Sequence, residues 1–280
     1  MKTAKHHNLI IARVIGLLPL LIVGCNKNND EPINGGSSES TPSNNSNNPI
    51  KPINYEEIIN NPSSFASLSN DELISFYSQT KKLPEQYLFL DENYVIKFSI
   101  DSASSIEEAN NNSKERVHDE RNANSKNIPT SSEVLYEGDT YYVTHIGWNH
   151  ITDERTSSYT ADAICFKSQY VDFVPPVPTQ GKEFSMTIKD FSKVQEIIDL
   201  YEYSADARTA SYKLVTSVIK EESSKYVYQN YFFQGIGGDW GMKDTVNLYL
   251  KTYEISKTSG KAVAFEKELV NTAEEYNVLY

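Results

Sequence analysis

From Glu92 onward the chain keeps returning to one pattern, short runs in which aromatic or β-branched residues alternate with polar ones. "ENYVIKFSID", "VLYEGDTYYVTHI", "ADAICFKSQYVDF" and "KEFSMTI" come first, followed by "ASYKLVTSVIK", "KYVYQNYFF", "TVNLYLKTYEI" and "KAVAFEKELV". A period of two marks a strand with one face buried and one face wet. Many such runs separated by turn residues favour antiparallel sheets. The 19 Tyr, against 11 Phe and 2 Trp, suit half-buried strands, because the ring packs inward while the hydroxyl reaches water. Two segments switch to helical period. "NDELISFYSQTKKL" opens on Asn70 as a plausible cap and sets Leu73, Phe76 and Tyr77 on one face. "SKVQEIIDLYEY" carries Ser192 and Gln195 in capping-box spacing, and Asn271 and Glu274 repeat that spacing near the chain's end, which predicts a further helical segment there.

The order of these elements recurs. Tyr141–Trp148 parallels Tyr231–Trp240, Ile164–Ser168 parallels Leu248–Thr252, and Gly181-Lys182 parallels Gly260-Lys261. At the last spacing, Glu196, Leu200 and Tyr201 fall on Glu275, Leu279 and Tyr280. A shared order of weak matches points to duplication. The expected fold class is α+β, two tandem units that each pack a helix on a four-stranded antiparallel meander. In the order and length of its elements this arrangement is similar to tandem β-lactamase-inhibitory-protein and PepSY-like repeats. The competing expectation is a single β-sandwich or barrel with decorating helices.

The first residues carry a different message. Lys2, Lys5 and Arg13 form a basic start, and Val14 to Gly24 form an apolar run. That run is about half the ~20 residues needed to cross a bilayer, so it reads as a signal peptide. It ends Ile22-Val23-Gly24-Cys25, which resembles the lipobox of bacterial lipoproteins, with Ile22 in place of the usual Leu. The resemblance implies cleavage after Gly24, a diacylglycerol thioether on the Cys25 sulfur and acylation of the new amino terminus by a palmitate-type chain. Two or more chains give stable anchoring, since each buried methylene contributes about 0.8 kcal/mol. Asn26 stands where an Asp is associated with inner-membrane retention, so the resemblance points to the outer membrane. With Cys25 lipidated, Cys165 has no partner for an intramolecular disulfide and reads as a small core residue.

Residues 26–54, "NKNNDEPINGGSSESTPSNNSNNPIKPIN", hold almost no apolar side chains. Such a segment cannot offset its ordering entropy by burial and is expected to be a disordered tether, with a mean span of roughly 30 Å as a flexible coil. Ser104–Ser132 is polar again and is expected to be a long inserted loop with at most marginal helix. The expected organisation is therefore a leader at 1–24, a lipidated cysteine and tether at 25–54, a first unit at 55–203 with the insert 104–132, and a second unit at 204–280. Net charge is −12 and becomes more negative once the basic leader is removed. An acidic surface repels phosphate backbones and anionic headgroups, so nucleic acid is not an expected partner and membrane attachment needs hydrophobic means.

Chemistry-bearing motifs are sparse. No His-Glu-x-x-His, Gly-x-Ser-x-Gly or Walker pattern occurs, and no cofactor or metal is expected. His145 and His150, with Asp153 and Glu154 close behind, form the densest ligand-like cluster. On a strand the two imidazoles face opposite sides, and only a tight turn at Gly147 brings them together; a surface turn is the plainer reading. "GIGGDWGMKD" (235–244) reads as a glycine-rich hairpin loop. Trp148 and Trp240 are then expected at matching loop tips, where an exposed indole is either tucked back or used for binding. The leading expectation is a lipid-anchored, non-catalytic envelope lipoprotein that binds a protein or glycan partner through Trp148, Trp240, His145 and His150. The alternatives are a carboxylate-dependent glycan hydrolase, which needs two acids facing across a cleft, and a structural or assembly subunit of an envelope complex.

Overall fold

Alternation does produce strands, and the strands collect into two open sheets rather than a barrel. The computed structural model describes residues 53–122, 125–176, 181–206, 212–236 and 244–275. All of them belong to one compact unit spanning Asn48–Tyr280. The leader, Cys25 and most of the tether lie outside the described residues, as does Trp240.

The first sheet contains β1 (Ile96–Ala103), β2 (Asp119–Asn122), β3 (Ser125–Glu137), β4 (Tyr141–Thr152) and β5 (Thr156–Lys167), in the order β1-β5-β4-β3-β2. Only β1, returning beside β5, is parallel to its neighbour. The second sheet contains β6 (Val171–Val174), β7 (Ser185–Ile188), β8 (Lys213–Glu221), β9 (Lys225–Ile236), β10 (Asp244–Ser256) and β11 (Lys261–Ala264), in the order β6-β7-β11-β10-β9-β8. The last strand, β12 (Glu268–Glu275), pairs with the first half of β10 on the side that β11 uses further along. The chain passes from one sheet to the other at the short turn between β5 and β6.

Helices cover and separate these sheets. On the outer face of the first lies α4 (Ile106–Val117), which docks Ala109 and Val117 against Ile100, Tyr142, Ile146, Ala163 and Cys165. Over the outer face of the second lie α1 (Tyr55–Ile59), a 3-10 turn at Pro62–Ser67 and α2 (Asn70–Gln79). Here Phe65, Leu73, Phe76 and Tyr77 meet Phe233, Val246 and Leu248. Between the sheets lies α5 (Val194–Asp206), with α3 (Leu88–Asn93) beside it. Its Val194, Ile197, Ile198, Leu200 and Tyr201 share one core with Val143, Ile164 and Phe166 of the first sheet and with Tyr228, Tyr253 and Ile255 of the second. Each fully buried aliphatic side chain of this helix contributes roughly 1.5–3 kcal/mol, so α5 joins the two sheets into one core.

Local signals explain the helix starts. Ser69 caps α2: its hydroxyl accepts from the Glu72 amide, and the Glu72 carboxylate accepts from the Ser69 amide at 2.9 Å, a complete capping box. The cap is thus one residue before Asn70, whose amide instead clasps the β12 backbone at Glu274. Ahead of α5, Asp190 rather than Ser192 does the capping, accepting from the Ser192 amide at 3.0 Å.

Three expectations need correction. Ser104–Ser132 is not a loop: it forms α4, β2 and the first half of β3. Residues 268–275 are a strand, not a helix; the Asn271 amide donates to the Phe65 and Leu68 carbonyls at 2.9 and 3.0 Å and so ties β12 to the 3-10 turn. The sheets also do not divide at residue 203, because β6 and β7 belong with the later strands. Both sheets nevertheless share a strand, then a helix, then an antiparallel meander: β1-α4-β2-β3-β4-β5 and β7-α5-β8-β9-β10, the first with the short β2 added ahead of β3. The paired glycines Gly181 and Gly260 share a left-handed backbone, with φ of 68° and 71°. At Gly260 a β-carbon would sit 2.1 Å from the Ile188 carbonyl oxygen, so only glycine fits.

Candidate functional site

Strand β4 carries three of the residues that the sequence singles out, His145, Trp148 and His150. Here β4 runs straight through Gly147 without a turn, and no loop tip presents Trp148. A glycine fits the strand because the Ser131 and Thr130 hydroxyls of β3 occupy the space its β-carbon would fill, at 2.5 and 3.0 Å. The unbroken strand keeps His145 and His150 on opposite faces, as alternation requires, and each imidazole finds its own partner.

On the face shared with α4, register builds two adjacent rows across three strands. Pro129, Trp148 and Tyr159 stand side by side, since Trp148 is directly opposite both of the others. Two residues along, Asn127, His150 and Ser157 form the next row. Pro129 is tolerated because the β2 pairing ends at Asn127, so its missing amide hydrogen leaves no gap in that ladder. Trp148 and Tyr159 stack with ring centroids 5.8 Å apart at 26°, and His150 meets the Tyr159 edge at 6.4 Å. Trp148 is partly buried against the α4 core, whereas Tyr159 is 46% exposed. The His150 Nδ1 bonds the Asn127 Oδ1 at 2.8 Å. That oxygen can only accept, so Nδ1 is the donor and the neutral ring keeps its acceptor at Nε2.

The unequal burial of the two rings separates their roles. Trp148→Ala is expected to lower stability by roughly 2 kcal/mol, below the full cost for a buried ring, while Tyr159→Ala changes it by less than about 1 kcal/mol. Chemical denaturation of the two variants checks the ranking, and equal losses would place both rings in the core.

On the opposite face the His145 Nδ1 bonds the Asp162 Oδ1 at 2.7 Å, and the second Asp162 oxygen accepts from the Val95 amide at 2.9 Å. This resembles the orienting half of a catalytic triad, yet among the described residues no hydroxyl or thiol is hydrogen-bonded to His145. Cys165 is fully buried, its thiol donates to the Asp101 carbonyl, and burial pushes its pKa up, away from thiolate chemistry. Among the described residues no three His, Cys, Asp or Glu side chains converge as a metal site. A cleft of ≈ 320 Å³ at the end of α4 is lined by Asp101, Glu115, Arg116, His118 and Lys182, where Lys182 and Asp101 neutralise each other at 2.9 Å.

Two carboxylates do come together, on α5. Asp199 and Glu202 face the second sheet with 1% and 0% exposure. Asp199 Oδ1 accepts from the Tyr228 hydroxyl, and Glu202 Oε1 accepts from the Tyr253 hydroxyl and pairs with Lys251 at 3.0 Å. Burial pushes the Asp199 carboxyl up to about 7, against the downward pull of Tyr228, Ser217 and Gln195. These acids are sealed between a helix and a sheet rather than facing across a cleft.

No family model, curated protein or solved structure matches the chain. The geometry therefore stands by itself. It brings Trp148 and His150 to one face, sends His145 to the other, and adds Tyr159, Asn127 and Pro129, which sequence reasoning had not marked. Their only signal is register, which a single sequence does not display.

Proposed function

We propose that this protein is a lipid-anchored lipoprotein of the cell envelope, at the outer membrane, that binds a protein or glycan partner without acting on it. The half-exposed Trp148–Tyr159 stack, seated beside the His150–Asn127 pair, carries this reading. Exposed aromatic surface on a rigid sheet, adjoining polar groups with spare bonding capacity, is what a recognition surface needs. The anchor rests on the Ile22-Val23-Gly24-Cys25 boundary and on the Asn- and Ser-rich stretch that follows it. No helix among the described residues is long and apolar enough to cross a membrane. The repeated strand-helix-meander order and the matching Gly181 and Gly260 conformations support a tandem duplication, with boundaries shifted from those the sequence suggests.

The test of the anchor is Cys25→Ala. The wild-type protein is expected in the membrane fraction and in the detergent-rich phase on phase separation, and the variant in the aqueous phase. Equal partitioning of the two removes the anchor and the envelope placement with it.

A further inference from the structure

Resting on the reading of this face as a binding surface, we infer that its ligand is an uncharged polysaccharide chain lying across strands β3, β4 and β5. The argument comes from the two rows. Neighbouring strands lie about 4.8 Å apart, so Pro129, Trp148 and Tyr159 span roughly 10 Å, about the length of a disaccharide. The polar row of Asn127, His150 and Ser157 is displaced two residues along the strands, roughly 6.8 Å. A pyranose has the same division, with a face of C–H bonds and a rim of hydroxyls. One row meets the C–H face through aromatic and proline surface, and the other meets the rim.

The polar row also selects against charge. His150 Nε2 accepts and Asn127 Nδ2 donates, a combination that suits hydroxyls, which do both. Neither row holds a Lys or Arg to pair with a carboxylate or sulfate, and the chain as a whole carries −12, so anionic polymers are repelled. A protein partner is less well matched, since a stable interface buries about 800 Å² on each side and these two rows are only three residues wide. The cross-strand direction follows as well, because each row runs perpendicular to the strands.

The experiment uses the detergent-solubilised full-length protein in native gels containing soluble neutral polysaccharides (α- and β-linked glucans, mannans, galactans and xylans) and, in parallel, uronic-acid polymers. Retardation by at least one neutral polysaccharide is expected, insensitive to added salt. Tyr159→Ala and His150→Ala are expected to weaken it about tenfold each. Tyr159→Phe, which keeps the ring, retains binding, and Leu269→Ser on the second sheet leaves it unchanged. Retardation only by the uronic-acid polymers, or binding that Tyr159→Ala does not weaken, overturns the inference. Two further outcomes separate it from the reading beneath it. With no retardation by any neutral polysaccharide, a photo-crosslinking residue at position 159 that traps a protein in intact cells overturns the glycan and keeps the binding surface. If nothing is retarded and nothing is trapped, both fall.

Discussion

Asp199→Asn is expected to stabilise the protein at neutral and alkaline pH, by as much as roughly 4 kcal/mol above pH 8. The folded protein holds this carboxyl up at about 7 because it is buried between α5 and the second sheet, while the unfolded chain ionises it near the ordinary value of 3.8. Its contribution is thus fully present below the unfolded value and is lost as pH rises through the folded one. Ionisation places a charge against Tyr228, Ser217, Gln195 and neighbouring Glu202, with Tyr87 also within electrostatic reach, and none of these is a cation. Asn keeps the oxygen that accepts from Tyr228 and removes the ionisation. Wild-type and variant denaturation at pH 4 and pH 8 measures the difference, in which the other titrating groups cancel. Similar stability at pH 4 and a more stable variant at pH 8 is the expected result. A variant weaker at both values would mean that the carboxylate is ionised and favourably bonded in the fold.

Lys251→Met is expected to act in the opposite direction, lowering stability by roughly 3 kcal/mol at pH 7. Glu202 lies one helical turn from Asp199 but is paired differently, with the Lys251 ammonium 3.0 Å away beside the Tyr253 hydroxyl. Met fills the volume of the Lys stem and leaves the carboxylate in a dry site with this ammonium gone. A companion Glu202→Gln change tells whether the loss comes from the charge: in the double variant it shrinks to below about 1 kcal/mol. If Lys251→Met is neutral by itself, the ion pair is not a stabilising element. The expected contrast is between two acids on one helix face, one with a cation beside it and one without.

Much of the fold is visible in the chain because most strands bury one face. The Tyr- and Val-rich runs alternate and become β1 and β4 to β10 in order, and Leu73, Phe76 and Tyr77 of α2 are all buried as their spacing predicts. What stays hidden has little apolar contrast. In α4 only Ala109, Ser113 and Val117 are buried, small residues among Asn, Glu and Lys, so its sequence looks like coil. β3 carries "SKNIPTSS" at its start for the same reason. Capping spacings mislead when a side chain serves another element, as Asn271 does toward the 3-10 turn. At the site, alternation places His145 and His150 on opposite faces, but the partnership of Trp148 with Tyr159 and of His150 with Asn127 depends on which residues stand across from each other. Strand register is a tertiary fact.

The insertion of α5 between two sheets has one more consequence. A repeat in which every unit keeps its own helix and sheet can be cut, shuffled or lost without harming its sibling. Here α5 closes the interior between both sheets, so neither sheet's inner face is covered without it, and the chain is expected to gain or lose its order as a whole. Two sheets that share one filler do not separate cleanly, and indivisibility is the expected behaviour.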